Sequence, residues 1–135
     1  MVIAVIAVVS SGLVLRYAID AAEKRKRETA FQSAFLAYSQ NMRPGLTRSE
    51  VETQLRVKRT IFSQQCCFED QKTVADLVKI GEGDPPWYCG KLDVFIAFEF
   101  AATELHDRSR AYDSDVLTRV EMTRVVNSLS CLGAF

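Results

Sequence analysis

The chain has 135 residues, and its 17 Lys and Arg are balanced by 17 Asp and Glu, so its formal net charge is zero. A chain of this length holds one domain and at most a short appendage. Zero net charge removes the usual electrostatic case for binding nucleic acid. The only histidine is His106, and the sequence carries no catalytic-triad, phosphate-loop or metal-site motif, so we expect neither an enzyme nor a cofactor or metal.

The first 15 residues carry no charge, and Arg16 and Tyr17 follow them directly. As a helix, residues 1–19 would be ~28 Å long, close to the hydrocarbon thickness of a bilayer. Arg16 and Tyr17 suit the interface between the lipid and water. The pattern therefore predicts a single-pass transmembrane anchor over residues 1–19. A buried core helix and a cleaved signal peptide are the alternatives.

A basic run, Lys24, Arg25, Lys26 and Arg27, lies in a predicted linker helix over residues 20–41. Next to an anchor, such a run can contact anionic lipid headgroups, although most charged runs are simply solvated. It would also favour a cytoplasmic side for the domain. Further along this helix, Phe31, Phe35 and Tyr38 recur at helical spacing, which predicts an apolar stripe packed on a sheet.

The stretch MRPGLTRSEVETQL, residues 42–55, has the pattern of a helix start. Pro44 and Gly45 predict a turn that ends the preceding helix. Thr47 and Glu50 form the capping-box pattern T-x-x-E, in which each side chain bonds the other residue's amide. A second helix of about ten residues is thus expected from Arg48 onward.

The remainder predicts strands, at residues 60–68, 73–80, 92–101 and 116–126. Residues 81–86, GEGDPP, are expected to form a stiff loop. Alternation places Leu92, Val94, Ile96, Phe98 and Phe100 on one face of the third strand. In the last strand we place Val116, Val120, Met122 and Val126 on one face. The predicted fold is α+β: residues 42–135 form a small domain into which the linker helix continues, and the two helices pack on an antiparallel sheet of three to four strands.

Four cysteines, Cys66, Cys67, Cys89 and Cys131, permit disulfides but lack zinc-site spacing. A bridge from Cys66 or Cys67 to Cys89 would close a loop of ~22 residues and imply an oxidising compartment. Buried free thiols in a cytoplasmic domain are the alternative. Trp87 and Tyr88, beside two prolines, are candidates for binding a protein partner, or Trp87 caps the core. Asp113 and Asp115 could ligate calcium weakly.

The segment PGLTRSEVETQL, with the aromatic strand DVFIAFEF and a final short strand, resembles the SmpA/OmlA (BamE-like) family of small envelope proteins. Gly45, Leu46, Thr47, Glu50, Val51 and Leu55 stand at the positions of the family's signature. The resemblance covers residues 42–126 and implies a two-helix, three-stranded layer in the cell envelope. The family's lipidated cysteine is missing, and the apolar N-terminal segment takes its place.

These observations predict a membrane-anchored, non-enzymatic interaction or scaffold domain with an extracytoplasmic, periplasmic location. Its partners would be membrane lipid and an unknown protein, bound at a sheet edge or near Trp87. A pilin-like or secretion-system subunit is one alternative, since an apolar helix there runs on into an amphipathic one. A cytoplasm-facing membrane protein with free thiols is the other, because the basic run favours that topology.

Overall fold

The computed structural model describes residues 2–68, 73–85, 90–101 and 110–126; side chains are described within these ranges except at residues 2–13, 66–68 and 73. The described elements are two helices and four strands. They are α1 Val2–Asn41, α2 Arg48–Val57, β1 Ser63–Phe68, β2 Thr73–Gly83, β3 Leu92–Ala101 and β4 Val116–Val126.

The four strands form one antiparallel sheet in the order β1-β2-β3-β4. Neighbours in the chain are therefore neighbours in the sheet, and β1 and β4 are the outermost of the described strands. Both helices pack on one face, because the core joins α1, α2 and the sheet. The predicted α+β class, with two helices on an antiparallel sheet, is confirmed, and the number of strands is four.

The core lies between the helices and the face of β3 that the alternation pattern predicted. Phe98 is fully buried there, and the Tyr38 ring meets it edge-on with the centroids 6.0 Å apart. Such an edge-to-face contact adds to the free energy gained by burying the rings. The central buried cluster consists of Met42, Val51, Leu55, Val78, Ile96, Phe98, Phe100 and Leu117. A smaller cluster of Ala75, Leu77 and Ala97 lies on the opposite face.

Helix α1 is continuous from Val2 to Asn41, so the predicted anchor and the predicted linker helix are one helix. Most of the predicted anchor, residues 1–19, lies outside the described side chains. Among the described residues, no helix is both long and apolar enough to cross a membrane. The transmembrane anchor is therefore unsupported here and stays a prediction.

The expected loop at residues 81–86 is wrong in its first half, because β2 extends to Gly83. Gly81, Glu82 and Gly83 pair with β3 after an irregularity between Lys79 and Gly81. Phe31 of α1 lies against Gly81: a Cβ on this glycine would fall 2.6 Å from the Phe31 Cε1 atom. The glycine thus leaves space for the ring, and pairing with β3 outweighs its preference for a loop.

The predicted face of β4 is wrong at its first residue. Phe100 pairs with Leu117 while Glu99 pairs with Arg119, so Thr118 is an extra residue in β4. This bulge shifts the alternation by one residue. Leu117 is therefore buried in the core, and Val116 lies on the other face, opposite Ala101.

We expect Gly81→Ala to lower the free energy of unfolding by about 1–3 kcal/mol, because the new methyl group would displace the buried Phe31 ring. Denaturant unfolding of the purified protein measures this. Gly83→Ala is the matched control, since its methyl group would meet Leu92 Cδ2 at 3.1 Å and Val94 Cγ2 at 3.4 Å, which are longer distances than the 2.6 Å at Gly81. Equal losses in both variants would contradict the packing explanation, as would an unchanged loss from Gly81→Ala in a Phe31→Ala background.

Candidate functional site

Helix α2 starts with the capping box that the sequence predicts. The Thr47 amide donates to Glu50 Oε2 at 2.7 Å, and the Glu50 amide donates to Thr47 Oγ1 at 3.3 Å. The bond from the Thr47 amide lowers the pKa of Glu50, because it favours the ionised carboxylate. This cap fixes the first turn of α2 and thereby the position of Arg48, its first residue.

Arg48 is 1% exposed and lies between two buried acids. Its Nη1 atom donates to Asp76 Oδ1 of β2 at 2.6 Å, and its Nε atom lies 3.7 Å from Asp115 Oδ2. Its Nη2 atom donates to the Val74 carbonyl at 2.9 Å, and the guanidinium carbon lies 4.1 Å from the centre of the Phe100 ring. We call Arg48, Asp76 and Asp115 the Arg48 cluster.

Backbone hydrogen bonds join the same regions. The Arg48 amide donates to the Asp115 carbonyl at 2.8 Å, and the Gly45 and Leu117 amides donate to the Leu117 and Leu46 carbonyls at 2.8 and 2.7 Å. Gly45 has a φ of 102°, a conformation that glycine adopts at little cost. The segment before α2 is thereby paired with the start of β4.

Two carboxylates share one guanidinium in this cluster, away from water. Burial raises the pKa of Asp76 from 3.8 to about 6, outweighing the opposing effect of Arg48; Glu52 and Asp115 raise it further. Asp76 Oδ2, Asp115 Oδ1 and Arg48 Nε have no hydrogen-bond partner among the described residues. The cluster can therefore accept a proton, but its enclosure gives a substrate no access.

Asp115 thus has a different role from the weak calcium ligand that we considered. Its carboxylate faces Arg48 and accepts the Tyr112 amide at 2.9 Å. Among the described residues, no group of three or more His, Cys, Asp or Glu could hold a metal ion.

The predicted lipid-facing run divides into two pairs. Lys24 and Arg27 form ion pairs with Asp84, just after β2, with 3.8 Å between Lys24 Nζ and Asp84 Oδ2. Arg25 and Lys26 are exposed. Next to the first pair, Glu28 accepts a hydrogen bond from Arg124 of β4 at 2.8 Å. Lys24 and Arg27 therefore connect α1 to the end of the sheet through ion pairs, beside a cleft of about 240 Å³.

The corner between α2 and β1 is a second exposed region, and sequence reasoning did not single it out. We define the α2–β1 corner as residues 56–61. Val57 is 79% exposed and Ile61 is 91% exposed, and Lys58 and Arg59 between them are exposed cations. The corner is followed by β1. On one side β1 pairs with β2, and on its other side no described strand pairs with it.

Arg59 has a φ of 54°, which is unusual for a residue with a side chain. The Thr60 amide donates to the Leu55 carbonyl and the Arg59 amide donates to the Arg56 carbonyl, both at 2.9 Å. These two bonds form a Schellman motif, in which glycine normally occupies the position of Arg59. The usual glycine signal was therefore missing from the sequence, and the expected strand from residue 60 begins only at Ser63.

The side chains of other predicted site residues lie outside the part of the chain that the structure describes. Trp87, Tyr88 and Cys89 fall in an undescribed range. Cys66 and Cys67 belong to the backbone of β1, but their side chains are not described. Their predicted roles in partner binding and in a disulfide stay predictions.

Comparisons with family models, with curated proteins and with solved structures found no match to this chain. The resemblance to the SmpA/OmlA family therefore stays a prediction as well.

We expect Arg48→Met to lower the free energy of unfolding by about 3–5 kcal/mol, because it leaves two buried carboxylates without their cation. Urea unfolding at neutral pH measures the loss. Arg56→Met is the matched control on the same helix: Arg56 also pairs with an acid, Glu52 at 3.2 Å, but its side chain is 72% exposed, so its loss should stay below about 1 kcal/mol. Similar losses in the two variants would show that burial of the pair is unimportant.

The raised pKa of Asp76 predicts a pH dependence of stability. The folded state binds the proton of Asp76 more tightly than the unfolded chain does. The stabilisation that results is complete below about pH 3.8 and is lost as the pH rises through about 6. Relative to Asp76→Asn, the free energy of unfolding of the wild type should therefore fall by about 3 kcal/mol between about pH 3.8 and neutral pH. Denaturant unfolding across the range tests this, with the exposed acid variant Asp84→Asn as control. Parallel curves for wild type and Asp76→Asn would contradict the assignment.

Proposed function

We propose that this chain is a membrane-anchored, non-enzymatic interaction domain of a cell envelope, with its sheet domain on the extracytoplasmic side. The observation that carries the proposal is the continuity of α1 from Val2 to Asn41. Residues 1–19, of which the first 15 carry no charge, would span ~28 Å as a helix, close to the hydrocarbon thickness of a bilayer. The other end of the same helix packs on the sheet, so the anchor would hold the domain without a flexible linker.

Contacts along α1 support this reading. Phe31 is 7% exposed against β2, and the ion pairs of Lys24, Arg27 and Glu28 attach the helix to Asp84 and Arg124. A helix fixed in this way sets the height of the domain above a bilayer. Arg25 and Lys26 remain free to meet anionic headgroups.

The interaction role rests on the exposed apolar side chains and on the open sheet edge. Val57 and Ile61 are among the most exposed large apolar residues of the described chain, and they adjoin β1. An exposed apolar group beside an open edge is a common way to bind another protein. The buried Arg48 cluster offers no comparable access. The resemblance to the SmpA/OmlA family agrees with this proposal.

We expect the full chain to stay with membranes after an alkaline carbonate wash, because residues 1–19 would span the bilayer. Val5→Arg with Val9→Arg should release it, since each arginine costs about 2.5–3.5 kcal/mol near the middle of a membrane helix. Ala37→Arg with Gln40→Arg adds the same charges at exposed positions of α1 and should leave the chain bound. Quantitative immunoblotting of pellet and supernatant measures the distribution. A wild-type chain in the supernatant would refute the anchor.

Thiol labelling in intact cells then tests the side of the membrane. With an impermeant maleimide, an envelope domain with a bridge to Cys89 should label strongly only after reduction. Cysteines that react without reductant, and only after lysis, would instead support the cytoplasm-facing alternative. A pilin-like subunit would be recognised by recovery of the chain in sheared surface filaments.

A further inference from the structure

We infer that the α2–β1 corner and the open edge of β1 form a docking site for an extended acidic segment of a partner protein, which would add as a strand beside β1. This inference deepens the proposed function and rests on its anchor in one step, the exclusion of lipid as the ligand. Three features carry it: an open strand edge, exposed apolar side chains and an excess of positive charge.

The edge is suited to strand addition. Among the described strands, β1 pairs only with β2, and Ser63, Gln64 and Gln65 are exposed. These three residues carry no charge and include no proline, and their pairing with β2 is regular; the irregularity of β1 lies after them, between Gln65 and Phe68. Backbone groups on the outer side of β1 can therefore bond an incoming chain.

The corner supplies the chemistry that would select the partner. Arg56, Lys58 and Arg59 place three cations within four residues, and the acid bonded to them is Glu52, which pairs with Arg56 at 3.2 Å. The Arg59 side chain forms no hydrogen bond or ion pair with the described residues. The surplus favours an acidic segment, and Val57 and Ile61 would contact its apolar side chains.

Arg59 provides an independent indication. Glycine would adopt the φ of 54° at a lower conformational free energy than arginine does. The chain therefore carries a side chain at a position where glycine would make the fold more stable. Strained backbone of this kind is concentrated at functional sites. A role for the guanidinium in binding explains why a less stable residue stands there.

The position of the corner argues against a lipid surface as the ligand. Tyr38 of α1 contacts the corner: its hydroxyl lies 3.2 Å from Thr60 Oγ1, and its ring centre lies 5.4 Å from Lys58 Nζ. Tyr38 follows the end of the predicted anchor by about 19 residues, or ~29 Å of helix. The field of a charged membrane falls off over ~8 Å at physiological salt. A protein segment is thus favoured.

The test uses the full chain in phosphatidylcholine nanodiscs and a fluorescent peptide in which Asp and Val alternate, with a peptide alternating Lys and Val for comparison. Fluorescence anisotropy should show binding of the acidic peptide only, weakened by added salt. Lys58→Glu with Arg59→Glu should reduce the affinity about tenfold or more. Arg43→Glu with Lys91→Glu reverses two exposed charges elsewhere and should leave it unchanged.

Arg59→Gly gives the sharpest result, because folding and binding should move in opposite directions. We expect a higher melting temperature and a severalfold weaker peptide affinity. A more stable variant with unchanged affinity would remove Arg59 from the site. Equal loss of affinity in the Arg43 and Lys91 control, or binding of the full chain to anionic vesicles but not to the peptide, would overturn the inference. Peptide binding does not require the anchor, so this result and the membrane test can fail separately.

Discussion

The arrangement of the domain depends on the pairing of the buried Arg48 guanidinium with Asp76 and Asp115. A charge so enclosed is tolerated only when acids and hydrogen-bond acceptors surround it, and here they come from β2 and from the segment before β4. The start of α2 can therefore occupy one position relative to the sheet. The backbone pairing of residues 45–49 with residues 113–117 has the same effect, and the apolar core is assembled beneath this junction. Because burial raises the pKa of Asp76, the junction also responds to protons, and its stability is coupled to pH through this residue.

At the other end of the domain, α1 is attached by different means. A ring-on-glycine contact between Phe31 and Gly81 sets how closely the helix approaches β2, and exposed ion pairs beside it fix its direction. Exposed pairs contribute little free energy, so the packing of the ring carries most of this attachment. The domain is thus joined to α1 near Phe31 and Tyr38, while residues 14–20 of the same helix are exposed. Our two proposals assign a membrane role to the start of α1 and a partner-binding role to the α2–β1 corner.

Local patterns in the sequence determined a large part of this fold. The capping box at Thr47 and Glu50 depends on residues three apart, and the alternation in β3 depends on one buried face, so both are visible without tertiary information. The same holds for the α+β class and for the bounds of β3 and β4. The charge-free start of the chain and its zero net charge are also properties of the sequence alone, and they restrict the functions that we considered.

Only the tertiary structure decided the features that join distant parts of the chain. The sequence shows Arg48 as one more cation in a polar helix, because its partners Asp76 and Asp115 are 28 and 67 positions away. The bulge at Thr118, which buries Leu117 instead of Val116, arises from pairing with β3 and leaves no local signal. Glycines at 81 and 83 favour a loop locally, yet hydrogen bonds to β3 and the approach of Phe31 extend the strand through them. The sequence did not predict the corner at Arg59, because α2 ends with a backbone conformation that glycine usually adopts although the residue there is arginine.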